Sequence, residues 1–146
     1  MSPIYICIYD LERHFLGRFN LTEFEDTGNM PPLEKVLDLE EEKLPEGMAA
    51  FSVGYELYLV GGEKVEAFET PAFNSTVYKL QCTNSSSFKP VRLSSAQIGK
   101  PDPKDAQIDG KVYVLGTISK FFRGVVPSPA FEVYDPLKDT WDSGIS

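Results

Sequence analysis

The stretch "AQIDGKVYVLGT", residues 106–117, lies over "FSVGYELYLVGG", residues 51–62, at an offset of 55. Val53 meets Ile108, Leu57 meets Val112, Tyr58 meets Tyr113, Leu59 meets Val114 and Gly61 meets Gly116. Between the matched apolar runs stand two turn positions, Gly54–Tyr55 and Asp109–Gly110. The second is a two-residue hairpin signal, because Asp and Gly both tolerate positive φ. Each block therefore predicts a strand, a tight turn and a second strand. The second strand, "LYLV" or "VYVL", is almost wholly apolar, which predicts burial on both faces, as in a sheet stacked between two others. It ends at glycine, where a tight backbone contact or a positive φ is needed. Further on, "TVYKL" (76–80) falls on "EVYDP" (132–136) at an offset of 56. Two blocks in the same order at nearly the same spacing make an internal repeat. The later block predicts a third strand, and "FKPVRLSSA" (88–96) a fourth for the first unit. Asp135–Pro136 opens a tight turn that ends at Trp141, the one tryptophan of the chain.

Upstream of the repeats, "IYICIYDL" (4–11) is β-branched or aromatic at most positions and reads as a strand, and "LGRFNLTEF" (16–24) as a second. Residues 25–46 are rich in acids and turn formers and read as a solvated insert or linker. Leu33, Val36, Leu37 and Leu44 are spaced to line one side of a short helix there.

The 146 residues suffice for a core, and 11 Pro, 11 Gly and 17 Phe and Tyr favour strands joined by turns. A formal charge of −8 argues against nucleic-acid or anionic-membrane partners. The N-terminal apolar run is too short for a signal peptide or a membrane span. Cys7 and Cys82 belong to no CxxC pair and read as two thiols in a reducing compartment, so a cytoplasmic or nuclear location is expected. Asn20, Asn74 and Asn84 stand in N-x-S/T triplets and are read as turn chemistry. His14 is the one histidine, too few for a His-based metal site. The serines of "SSSF" and "LSSAQ" have no activating base in sequence, and "VGG" opens no phosphate loop. No catalytic residue, cofactor or metal is expected.

Together these blocks resemble the kelch repeat, one blade of a β-propeller, in the manner of plant kelch and galactose-oxidase-superfamily proteins. The resemblance rests on Gly61, Gly62 and Tyr78 in the first unit and on Gly116, Tyr134 and Trp141 in the second. Tyr134 and Trp141 stand seven residues apart, the family spacing. The second unit has Gly116–Thr117 where the pattern has Gly-Gly, and the first has no tryptophan. In the N-terminal strand, Ile8–Tyr9–Asp10 match the third-strand Val–Tyr–Asp positions. The resemblance implies an all-β fold of antiparallel four-stranded blades, an incomplete kelch-type β-propeller of about two and a half blades. Residues 1–24 would be a partial blade, 47–104 one repeat and 105–146 a second, truncated at its C-terminal end.

Closed propellers hold about 4–8 blades, so the open faces, with Trp141, would be covered by further chain, by other copies through self-association, or by a cap. The resemblance implies a non-catalytic protein-interaction module with a protein partner, such as the recognition half of an adaptor, ubiquitin-ligase substrate receptors included. A small-ligand or sugar-acting propeller enzyme with its active residues in further blades is one alternative; a truncated product without independent activity is another. Partner contacts are expected on the loops 63–75, 94–106 and 118–131. Within the last, Lys120, Phe121, Phe122 and Arg123 combine aromatic and cationic side chains of the kind enriched at interface cores. The competing reading is that these rings pack against the neighbouring sheet.

Overall fold

The computed structural model describes residues 4–9, 14–29, 31–39, 41–65, 71–84, 87–119, 127 and 130–143. They form an all-β chain of antiparallel sheets with two to four strands each. The chain divides into two units, Met1–Leu44 with Cys82–Lys89, and Pro45–Gln81 with Pro90–Ser146.

In the first unit, Ile4–Tyr9 (β1), His14–Phe19 (β2) and Glu34–Asp38 (β3) form a sheet in the order β1-β2-β3. β1 pairs with β2 from Ile4↔Phe19 to Tyr9↔His14. The strand expected over 16–24 ends at Phe19, and Leu21–Thr27 is a short helix, α1. Asn20 Oδ1 accepts the Thr22 amide at 3.0 Å, the N-cap bond that turns the chain from strand to helix. Gly28, at φ 74°, follows the last helical residue.

Within 25–46, read as an insert or linker, the short helix drawn through the leucines is corrected to a strand. Val36 and Leu37 lie in β3 and are 4% and 5% exposed, so consecutive residues, pointing to opposite faces, are both covered. The acids sit around them. Glu34 pairs with Arg18 at 2.8 Å, and Asp38 Oδ1 accepts the Glu41 amide at 3.0 Å to start the following turn. Leu33 closes over Gly17, where a Cβ would stand 2.7 Å from its Cδ1.

The second unit holds two four-stranded meanders. The first comprises Ala49–Val53 (β4), Glu56–Val60 (β5), Thr76–Asn84 (β8) and Ser87–Ser95 (β9), in the order β4-β5-β8-β9. Glu63–Val65 (β6) and Pro71–Phe73 (β7) form a ribbon between its second and third strands. The other meander is Lys104–Ile108 (β10), Lys111–Leu115 (β11), Phe131–Asp135 (β12) and Thr140–Asp142 (β13), in that order. The Cys82–Lys89 end of the β8–β9 hairpin belongs to the first unit, where Phe88 meets Tyr5 edge-to-face at 5.9 Å.

The 55-residue repeat holds as register. Phe51↔Tyr58 corresponds to Ala106↔Tyr113, and Ala49↔Val60 to Lys104↔Leu115. Both hairpins have two-residue turns, with Gly54 at φ 61° in one and Asp109 and Gly110 at 51° and 76° in the other. The third strands differ from the sequence match. Tyr134 pairs with Val112, but Tyr78 pairs with Leu59, and Leu80 takes the place opposite Leu57. Tyr78 is thus on the matching face but two residues out of register with Tyr134.

The core of this unit lies between the two meanders. Phe51, Tyr58, Val60 and Val77 from the first meet Val112, Val114 and Tyr134 from the second, with Ala49, Val53, Leu93 and Trp141 packed around them. Phe51 and Tyr58 stack at 5.1 Å, their planes 4° apart. Burial on both faces of the second strand is met in β5, whose Leu57–Val60 are all buried, but not in β11. There Val112 and Val114 are buried while Leu115 is 42% exposed.

Candidate functional site

The loops singled out in sequence leave the second unit beside one another. Loops 61–75 and 116–130 both join a second strand to a third, so they start at corresponding ends of the two sheets. The connection from β9 to β10 passes between them. Gly62 N donates to Lys100 O and Lys100 N to Asn74 O, at 2.9 and 3.0 Å, while Thr117 N donates to Pro101 O at 2.8 Å. One extended crossing segment is therefore hydrogen-bonded to both repeats.

Gly61 and Gly116 make room for this crossing. Gly61 has φ 76°, and a Cβ there would stand 2.6 Å from Pro103 Cγ and 2.7 Å from Lys100 O. Gly62 has φ 91°, and a Cβ there would stand 2.6 Å from Glu46 O. At Gly116 a Cβ would stand 3.2 Å from Lys100 Cα. Asn74 completes the junction, its Nδ2 donating to Gly61 O and Thr76 O, both at 2.9 Å. The Asn74 triplet, read as turn chemistry, does that work here.

Two buried carboxylates fix the loop roots. Glu132 is 1% exposed; Oε1 accepts Gln97 N at 2.9 Å, and Oε2 accepts Ile98 N at 3.3 Å and the Lys100 ammonium. Lys100, fully buried, also donates to Ile98 O at 2.7 Å. Glu63 Oε2 accepts the Ser119 hydroxyl at 3.0 Å, both residues being 2% exposed. Ser119 is the residue before Lys120. Lys120, Phe121, Phe122 and Arg123 themselves lie outside the described residues, as do the side chains of His14 and Cys82. The far end of that loop is held by Gly116 N donating to Ala130 O at 2.7 Å.

Beside the crossing segment a shallow cleft of about 440 Å3 is lined by Ser94, Ser95, Gln97, Glu132, Asp139, Thr140, Trp141 and Ser143. Asp139, at φ 51°, accepts the Tyr134 hydroxyl at 2.7 Å and the Ser94 amide at 3.1 Å. Ser94 Oγ lies 2.7 Å from Asp139 O and 3.0 Å from its carboxylate. Burial, reinforced by the hydrogen bond to Asp139, pushes the Tyr134 phenol above the usual tyrosine range. Tyr58, the core tyrosine of the other sheet, is likewise pushed up to about 12, by burial and then by its bond to Glu56. Trp141 rests on Tyr134 at 5.1 Å and donates from Nε1 to Ser94 O of β9 at 3.2 Å. The cover sought for Trp141 beyond the chain is thus partly supplied from within, by the preceding repeat.

No family model matches the chain, and no curated protein matches it.

Chemically, the cleft offers hydroxyls, an amide and an indole edge. Its two carboxylates are already occupied by backbone amides, a phenol and an ammonium, which makes them parts of the scaffold. Among the described residues no group of three His, Cys, Asp or Glu is placed to hold a metal ion. Ser94, Lys100, Glu132 and Asp139 are the residues that sequence reasoning missed. Asp139 carried one signal, its place at the end of a "DPLKD" turn before a strand, where Asp tolerates positive φ.

Proposed function

We propose that the two meanders of the second unit are consecutive blades of a kelch-type β-propeller, and that the chain serves as a non-catalytic protein-interaction module. The observation that supports this most is the crossing segment 96–103, which ties the roots of the two flanking loops into one face. The contact of first strand with first strand, through Gln107 Nε2 and Ser52 O at 2.7 Å, supports the blade reading. So does the contact of last strand with last strand, through Trp141 and Ser94. Loops held on such a face can bind with little ordering cost. In this reading Lys120, Phe121, Phe122 and Arg123 supply the partner contact, and the chain is the recognition part of an adaptor.

The test is a photo-crosslinking amino acid placed at Ile118, 58% exposed at the root of the same loop, with capture scored against the same chain carrying Phe121→Ser/Phe122→Ser. Loss of the crosslinked partner in the double variant, with an unchanged melting temperature, is the expected result. A melting temperature lowered by several degrees, on the order of 1–3 kcal/mol of lost burial, would make both rings packing residues and overturn the assignment.

A further inference from the structure

We propose that two copies of this chain pair about a two-fold axis, each through the exposed face of its β10–β13 sheet. The centre of that face is apolar. Tyr113 and Leu115 of β11 stand opposite Val133 and Phe131 of β12, and paired residues share a side of the sheet. Leu115 is 42% exposed, and Ile108 of the outer strand, on the same side, is 54% exposed. Tyr113, Phe131 and Val133 are half-buried, with the two rings in contact at 5.8 Å. In the first meander the same surface is used against a sheet. Phe51, Tyr58, Val60 and Val77 are buried there, and by register their counterparts are Ala106, Tyr113, Leu115 and Phe131. On the β10–β13 sheet nothing described covers it.

Charge on the face selects the occupant and its orientation. The cations of the face, Lys104 and Lys111, lie on its first two strands, and the anions, Asp135 and Asp142, on its last two. Lys104 is already paired with Asp102 at 3.0 Å, so Lys111 and Asp135 decide. They stand on either side of the midline between β11 and β12, one step beyond the pair Val112↔Tyr134. Neither is in an ion pair with a described residue. Asp135 Oδ1 accepts the amides of Leu137 and Lys138 in the turn that follows. A two-fold axis along the midline lays β11 of each copy over β12 of the other. Lys111 then meets Asp135 of the partner subunit, and the symmetry makes that contact twice. Leu115 meets Phe131 of the partner subunit, and Tyr113 meets Val133 of the partner subunit. An axis across the strands would instead set Lys111 over Leu115 and Asp135 over Phe131, burying charge against apolar side chains. A patch that contacts its own copy closes at two. The face measures roughly 15–20 Å each way, from strand spacing and rise. That is small for a specific interface, so the pair forms reversibly and with concentration.

The test is sedimentation equilibrium of the full chain over a concentration series up to about 1 mM. The unaltered chain is expected to rise towards twice 16.3 kDa. Lys111→Glu is expected to raise the dissociation constant on the order of 100-fold, because like charges then meet at both symmetry-related contacts. Asp135→Lys is expected to do the same. An equimolar mixture of the two variants is expected to regain the pair, because opposite charges then meet at both contacts. If Asp135→Lys fails to fold for want of its turn acceptor, Asp135→Asn, which keeps that acceptor, takes its place. That mixture is still expected to pair more tightly than Lys111→Glu alone. A single-chain mass across the whole series overturns the inference. A pair indifferent to Lys111→Glu, or a mixture that associates no better than either variant alone, also overturns it. The stacking of the two meanders is read separately, from the Trp141–Ser94 contact.

Discussion

Glu132→Leu is expected to destabilise the protein by about 3–5 kcal/mol, the usual cost of breaking a buried ion pair from one side. Glu132 and Lys100 are 1% and 0% exposed, so neither charge has water to fall back on. The loss is compounded because the same carboxylate accepts the amides of Gln97 and Ile98. Lys100→Met is expected to cost less, since the carboxylate keeps both of those donors. The double variant removes both charges but still leaves two amides without an acceptor, at about 1–3 kcal/mol each. It should therefore not recover the stability of the unaltered protein. Urea unfolding followed by the fluorescence of Trp141 measures all three, and Glu132→Leu within 1 kcal/mol of the unaltered chain would show that this pair does not hold the loop roots.

Tyr134→Ala is the second large effect, again about 3–5 kcal/mol, the range for deleting a buried aromatic side chain. Tyr134 is fully buried at the centre of the contact between the meanders and supports Trp141. Tyr134→Phe separates packing from hydrogen bonding. It keeps the ring and removes one donor from Asp139, which retains the Ser94 amide and hydroxyl. A cost of about 1.5–3 kcal/mol, the range for a bond to a charged group, is expected. If the two variants were equally destabilised, the stabilisation would come from the hydroxyl alone and the sheet contact would contribute little. The same unfolding curves give the answer.

How much of this could be read in the sequence depends on how local each feature is. The hairpins at Gly54–Tyr55 and Asp109–Gly110 were legible because a two-residue turn fixes register on both sides of itself. Tyr78 was misplaced because its strand is reached through a long loop. A slip of two residues also preserves the alternation of faces, so pattern alone cannot detect it. β3 was hidden by its neighbours, since Val36 and Leu37 stand among acids that mark the segment as solvated. The acids are in fact turn caps and a surface ion pair around two buried residues. Lys100 and Glu132 gave no signal at all. Charged residues 32 apart look like surface charges until the fold buries them together. Gly61, Gly62 and Gly116 were legible as close-approach positions, although what approaches them, Lys100 and Pro103 at Gly61, Glu46 at Gly62 and Lys100 at Gly116, was not.

Two repeated four-stranded sheets stack face to face, last strand beside last strand. The chain has one tryptophan, so its indole proton is a single resolved reporter. A nuclear Overhauser measurement on that proton is expected to give cross-peaks to Ser94 and its β9 neighbours, together with the Tyr134 ring. Cross-peaks confined to β12 and β13 would contradict the stack.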